Sequence, residues 1–193
     1  MQNIIGVRKK ILFTIITLLS LTGCITSSNY YVLSVASHPS VVYSNRNSVM
    51  GVEKITVPGY LYKREIAVAR SSSQITLLSG AVWGEDLDDG LTHRLISFLQ
   101  KKFQQPSIYE YPWNLDRVPD LKVKVQISRF IAQGDRVYLD ANWEVENMRT
   151  HKRKARLFSA AVPTKNDASS IVAAMDQAFG KLEEDIAQGV HRF

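Results

Sequence analysis

From residue 29 to residue 193 the sequence predicts an α+β domain, a mostly antiparallel sheet with two helices packed on one face. Two observations carry that expectation. Runs with the two-residue period of strands come in two groups, each containing a hairpin, and each group is followed by a segment with helical period. The resulting order, strands, helix, strands, helix, is that of a sheet covered by helices.

The elements follow in order. Residues 30–36 (YYVLSVA) are rich in aromatic and β-branched side chains and read as a strand. Residues 37–48 are polar with one proline and read as a loop. A second strand, residues 52–57, is ended by the turn pair Pro58-Gly59. Residues 65–70 and 74–78 form a hairpin through the serine run at 71–73. A helix begins near Trp83-Gly84-Glu85, with Leu87, Leu91, Leu95, Phe98 and Leu99 on one face. Glu85, Asp86, Asp88 and Asp89 crowd its first turns and Lys101-Lys102 its last, as the helix dipole favours.

Leu121, Val123, Val125 and Ile127 then alternate with Lys122, Lys124, Gln126 and Ser128, a strand with one buried face. The chain turns at Gln133-Gly134-Asp135. Val137, Leu139, Ala141, Trp143 and Val145 alternate with polar neighbours in the next strand. A third strand, about 152–162, follows a turn near 148–150 and stops at Pro163. Asp167 is a suitable N-cap for the last helix, whose stripe is Ile171, Met175, Ala178, Leu182 and Ile186. There is no internal repeat and no sign of a second domain.

The first 23 residues have another purpose. Arg8, Lys9 and Lys10 precede an apolar run, residues 11–21, in the arrangement of a secretory signal. Eleven helical residues span roughly 17 Å, well short of a hydrocarbon core of roughly 30 Å. The segment closes with Leu21-Thr22-Gly23-Cys24, which resembles the lipobox of bacterial lipoproteins. Cys24 is the one cysteine in the chain, so an intramolecular disulfide is excluded and lipidation of its thiol accounts for it. Cleavage before Cys24 leaves residues 24–28 as a short tether, of which the four after the cysteine reach roughly 14 Å when extended. Ile25 is not aspartate, which by resemblance to enterobacterial sorting favours the outer membrane, facing the periplasm. Without the three basic residues of the signal, 21 basic residues face 18 acidic ones, a formal +3. The basic balance of the precursor is thus partly an export signal, and nucleic acid is not an expected partner.

Catalytic constellations are absent from the pattern. His38, His93, His151 and His191 are far apart in sequence, none in a metal-ligand spacing, and neither a nucleophile elbow nor a phosphate-binding glycine loop occurs. No enzyme activity, metal or cofactor is expected beyond the covalent lipid on Cys24. The acidic run 85–89 reads as a solvated helix start, and Trp83 and Trp143 as core anchors. A turn centred near Arg149 would place Lys152 opposite Glu146 and Lys154 opposite Glu144, pairing opposite charges across an exposed face. The same basic strand, Lys152, Lys154 and Arg156, is an alternative contact for an acidic partner or for anionic lipid head groups. Tyr60, Leu61 and Tyr62 either plug the end of the sheet or present aromatic side chains to another protein.

Several segments together resemble a family. Tyr30-Tyr31-Val32-Leu33 resembles the opening of PqiC-type lipoproteins, also called ABC-type transport auxiliary lipoproteins. Val57-Pro58-Gly59-Tyr60-Leu61 is similar to the family's V-x-x-P-x-Y-L segment, and residues 65–70 to the short strand ending in Arg that follows it. Trp83-Gly84-Glu85-Asp86-Leu87 resembles its W-a-e-p-L helix start, with Asp86 in place of the usual proline, and residues 137–143 its later strand. Gly59 stands where an acidic residue is common. The resemblance implies a non-enzymatic outer-membrane component of an MCE-type system moving lipids between two membranes. Its partners would be an MCE-domain protein reaching from the inner membrane and outer-membrane lipid through the acyl anchor; assembly with copies of itself stays open. Two rival readings are a module that carries lipid between sheet and helices, and a periplasmic hydrolase.

Overall fold

A computed structural model describes residues 27–33, 35, 38–43, 48–113 and 118–193 of the chain. The signal segment and Cys24 lie outside the described residues. The strands are β1 (Asn29–Tyr31), β2 (Met50–Glu53), β3 (Glu65–Ala69), β4 (Ile75–Trp83), β5 (Ile108–Tyr111), β6 (Leu121–Gln133), β7 (Arg136–Asn147) and β8 (Arg153–Pro163). The helices are α1 (Leu87–Phe103) and α2 (Ala168–His191), with a 3-10 turn at Gly59–Tyr62.

The centre of the fold is the β6–β7 hairpin. It pairs in register from Leu121 opposite Asn147 to Gln133 opposite Arg136, closed by Gly134 at φ +62°. A two-residue turn needs a residue with positive φ there, and glycine supplies it without strain. Leu121, Val123, Val125 and Ile127 all face inward, as their alternation predicts. A bulge between Ile127 and Arg129 then shifts the phase. Because of that extra residue Phe130 and Ala132 continue the buried face, and Arg129 stacks on Tyr138 instead, its guanidinium 4.0 Å from the ring centroid.

The other edge of β6 is shared. Its start pairs with β2, which pairs in turn with β5, and its end pairs with β3. All of these contacts are parallel, as is β1 on β4, whereas β3–β4, β6–β7 and β7–β8 are antiparallel. The sheet is therefore mixed: antiparallel in its long ladders, parallel where short strands return after crossovers. Sequence periodicity reports which face of a strand is buried and says nothing of the direction of its neighbour.

Both helices pack on the face that presents Val123, Leu139 and Trp143, forming one apolar core. The two expected stripes are buried throughout. Asp167 caps α2, its carboxylate accepting from the Ser170 N–H at 2.9 Å. The first helix begins at Leu87 rather than near Trp83, because β4 continues through Trp83, which pairs with Tyr31. Other boundaries also move. The first strand is only Asn29–Tyr31 among the described residues, and residues 52–57 divide into the end of β2 and a single ladder contact of Thr56 with Gln126. Pro58-Gly59 leads into the 3-10 turn, and β5 was not expected at all.

The β7–β8 register corrects the expected charge pairing. Glu146 stands opposite Arg153, Val145 opposite Lys154 and Glu144 opposite Ala155, one residue away from the expected alignment. His151 at φ +55° lengthens the connecting turn, with its N–H donating to Asn147 O at 2.8 Å. A one-residue slip exchanges the faces of a strand. Arg153 thus takes the outer face, bonding Glu146 at 3.1 Å, while Lys154 and Arg156 turn toward α2.

Candidate functional site

The 3-10 turn positions three neighbouring side chains differently. Leu61 is buried in the core. Tyr60 lies half-buried and its hydroxyl accepts from the Phe130 N–H at 3.0 Å, which ties the turn to β6 just past the bulge. Burial raises the Tyr60 phenol above its ordinary pKa. Tyr62 is 59% exposed. The first two plug the sheet and the third faces outward, so the alternatives left open by the sequence divide within one tripeptide.

Tyr62, Lys63 and Arg64 border a cleft of about 180 Å³ whose far wall is Trp83, Gly84 and Glu85. Trp83 is buried, and its indole N–H meets no acceptor among the described residues. A buried donor without a partner is costly, roughly 1–3 kcal/mol. The cleft thus carries two cations, Lys63 and Arg64, two carboxylates, Glu85 and Asp86, and the exposed Tyr62 ring, side chains of the kinds that anchor interfaces.

The acidic helix start is less solvated than expected. Asp88 is buried, and Lys54 bonds Asp88 at 3.0 Å and also pairs with Asp89. Hydrogen bonds to Asp89 and then Asp88 raise the lysine above its ordinary pKa. Thr92 accepts from the Ile55 N–H at 2.9 Å, so this end of α1 fastens the chain that follows β2. Among the described residues no group of three or more His, Cys, Asp or Glu side chains could hold a metal.

The basic strand is largely engaged within the molecule. Arg156 donates to Asp185 at 2.7 Å, Lys154 to the Gly189 carbonyl at 3.5 Å, and the Lys152 ammonium lies 5.8 Å from the Phe193 ring centroid. Lys154 and Arg156 hold the last turns of α2, where cations suit the helix dipole.

Sequence reasoning missed a buried ion pair. Arg94 of α1 is 1% exposed and makes a two-bond fork with Glu183 of α2, each bond 3.1 Å. The same guanidinium reaches Asp176 and, at 3.4 Å, the carbonyl of Leu33. Burial would lower the Arg94 pKa, but Glu183 and Asp176 outweigh it and the net shift is upward. Burial pushes the Glu183 carboxyl up to about 7 against the downward pull of Arg94. A signal was legible: Arg94 is three residues after Leu91 and four before Phe98, on the apolar stripe itself.

A mixed sheet centred on a hairpin, with two helices on one face and a small cleft beside Tyr62, defines an α+β domain. Its family is that of the ABC-type transport auxiliary lipoprotein component, whose model matches residues 31–187, and the chain belongs to it. Membership makes the protein a membrane-anchored auxiliary of a transport system. Its fold is similar to a crystal structure of a Xanthomonas campestris protein of the DUF330 family. That likeness has TM-score 0.71 and 16% identity, and covers 83% of this chain and 93% of the other. A second crystal structure, of an uncharacterised protein, has TM-score 0.69 and 19% identity, with 85% and 99% covered. No functionally curated protein matches the sequence.

Proposed function

We propose that this protein is the outer-membrane docking component of an MCE-type lipid transport system, facing the periplasm and held by acyl chains on Cys24. It catalyses no reaction. It supplies an anchored body against which a periplasmic MCE-domain protein seats, so that lipid passes between the membranes at a fixed point.

One observation carries docking over carrying: the core between the middle of the sheet and the helices is packed with large side chains. Trp143, Phe98, Phe103, Phe130 and Phe179 occupy it, all buried. A Cβ on Gly189 would lie 2.1 Å from the Trp143 ring. Such packing supports a rigid body that recognises a partner with its surface, and it speaks against the rival reading in which lipid is held between the layers.

The docking surface in this reading centres on Tyr62, with Lys63 and Arg64 beside it. Tyr62→Ala should lower co-purification of an MCE-type protein from solubilised membranes at least tenfold, while the melting temperature stays within a degree or two. Undiminished recovery of the partner would remove this surface from the proposal.

A further inference from the structure

The sheet has an apolar patch on the side away from the helices, and register identifies its members. Ala69 stands opposite Ile75 and Ala67 opposite Leu77, so these side chains share one face, and beyond a register shift at the irregularity Glu65, a charged neighbour, stands opposite Val82. Tyr30 of β1 pairs with Val82 and joins them. Ile66 and Val68, the intervening residues of β3, point into the core. Three members of the patch are open to solvent: Tyr30 at 65%, Ile75 at 46% and Leu77 at 42%.

The direction of the chain says what covers this patch. Because β1 runs parallel to β4, the residues before Asn29 approach from the Ile75 end of β4. Ser27 already lies along it, its carbonyl oxygen 3.6 Å from where a Cβ on Gly80 would be. Cys24 is five residues before Asn29, a reach of roughly 17 Å, while the stretch of β4 from Ile75 to Ala81 spans roughly 20 Å. The anchor attached at Cys24 is therefore tethered within roughly 17 Å of Asn29, a span comparable to the patch itself. The β7–β8 turn lies at the far end of the 13-residue β6, about 40 Å away.

The border of the patch also suits a bilayer. Arg70 follows β3 and lines, with Ala69, a cleft of about 540 Å³ that also holds Lys165 and one carboxylate, Asp135. Exposed aliphatic chains, a tyrosine whose hydroxyl can stay wet, and cations at the level of lipid phosphates are what an interfacial seat requires.

We infer that Tyr30, Ile75 and Leu77, bordered by Arg70, form a seat on the bilayer that holds the anchor. This inference rests on the lipid-anchored reading of Cys24. It fixes the orientation of the domain, with the patch on the membrane and the β7–β8 turn pointing away from it.

Site-directed spin labelling of the mature lipidated protein tests it, in vesicles of phosphatidylethanolamine and phosphatidylglycerol. Ile75→Cys, Leu77→Cys and Thr150→Cys each carry one nitroxide, while acylated Cys24 takes none. The labels at 75 and 77 should be several-fold more accessible to oxygen than to a water-soluble nickel chelate, and the label at 150 the reverse. Labels at 75 and 77 as open to nickel as the one at 150 would overturn the seat. So would labels closed to both reagents, which would mean that protein, such as a second copy, covers the patch. Mass spectrometry of the same samples separates the two readings. An unacylated Cys24 overturns the anchor and the seat together, whereas an acylated chain with water-exposed labels overturns the seat alone.

Discussion

Single side chains hold the two layers together in ways that mutation can separate. Trp143 is buried, and its indole N–H donates to Asp185 at 2.8 Å, so it joins β7 to α2 by packing and by a hydrogen bond. Trp143→Ala should cost roughly 3–5 kcal/mol in chemical denaturation, against a few tenths for Asn142→Ala on the outer face. Gly189→Ala should cost at least 1–3 kcal/mol, since its Cβ has no room beside that ring. Arg94 stands for a different kind of loss. Arg94→Met leaves Glu183 buried without its partner and should cost about 3–5 kcal/mol, most of it recovered in the double variant with Glu183→Met. Equal losses in the single and the double variant would mean the fork adds nothing beyond packing.

At the scale of elements, periodicity made the core legible and left connectivity obscure. Every residue of the two helical stripes and of the inward faces of β6 and β7 is buried where its spacing placed it. β5 escaped because it is four residues long with only Ile108 buried, too short to show a period. Parallel pairing escaped because alternation carries no direction. The β7–β8 register escaped because one residue at positive φ, His151, lengthens a turn without a glycine to mark it. On the resulting outer face Glu146 gathers Lys122 at 3.1 Å and Arg153 at 3.1 Å. The Lys122 hydrogen bond, then Arg153, hold its carboxyl below the ordinary range. A carboxyl lowered on folding stabilises the native state above its unfolded pKa and loses that contribution as pH falls through the folded one. Lys122→Met should accordingly raise the Glu146 midpoint in an NMR titration and shrink the acid-side loss of stability. An unmoved midpoint would assign the shift to Arg153 alone.

For the whole molecule, the family was legible before the fold, while the candidate site was only half so. The lipobox and the order of the weak motifs pointed to the family that residues 31–187 match. Tyr60, Leu61 and Tyr62 could be singled out, but which of them faces outward depends on how a 3-10 turn sits against β6, a tertiary fact no local pattern encodes. Trp83 read correctly as a core residue, yet that its N–H meets no acceptor among the described residues became visible only in three dimensions. The proposed account is of an anchored, solidly packed body that docks a conduit rather than carrying lipid itself. Its most direct test is the composition of the native complex. Purified from membranes in mild detergent and analysed by quantitative mass spectrometry, the protein should retain an MCE-type partner in fixed ratio, with phospholipid far below one molecule per chain once its own acyl groups are discounted. Near-stoichiometric phospholipid on the isolated protein, with no MCE-type partner, would contradict it.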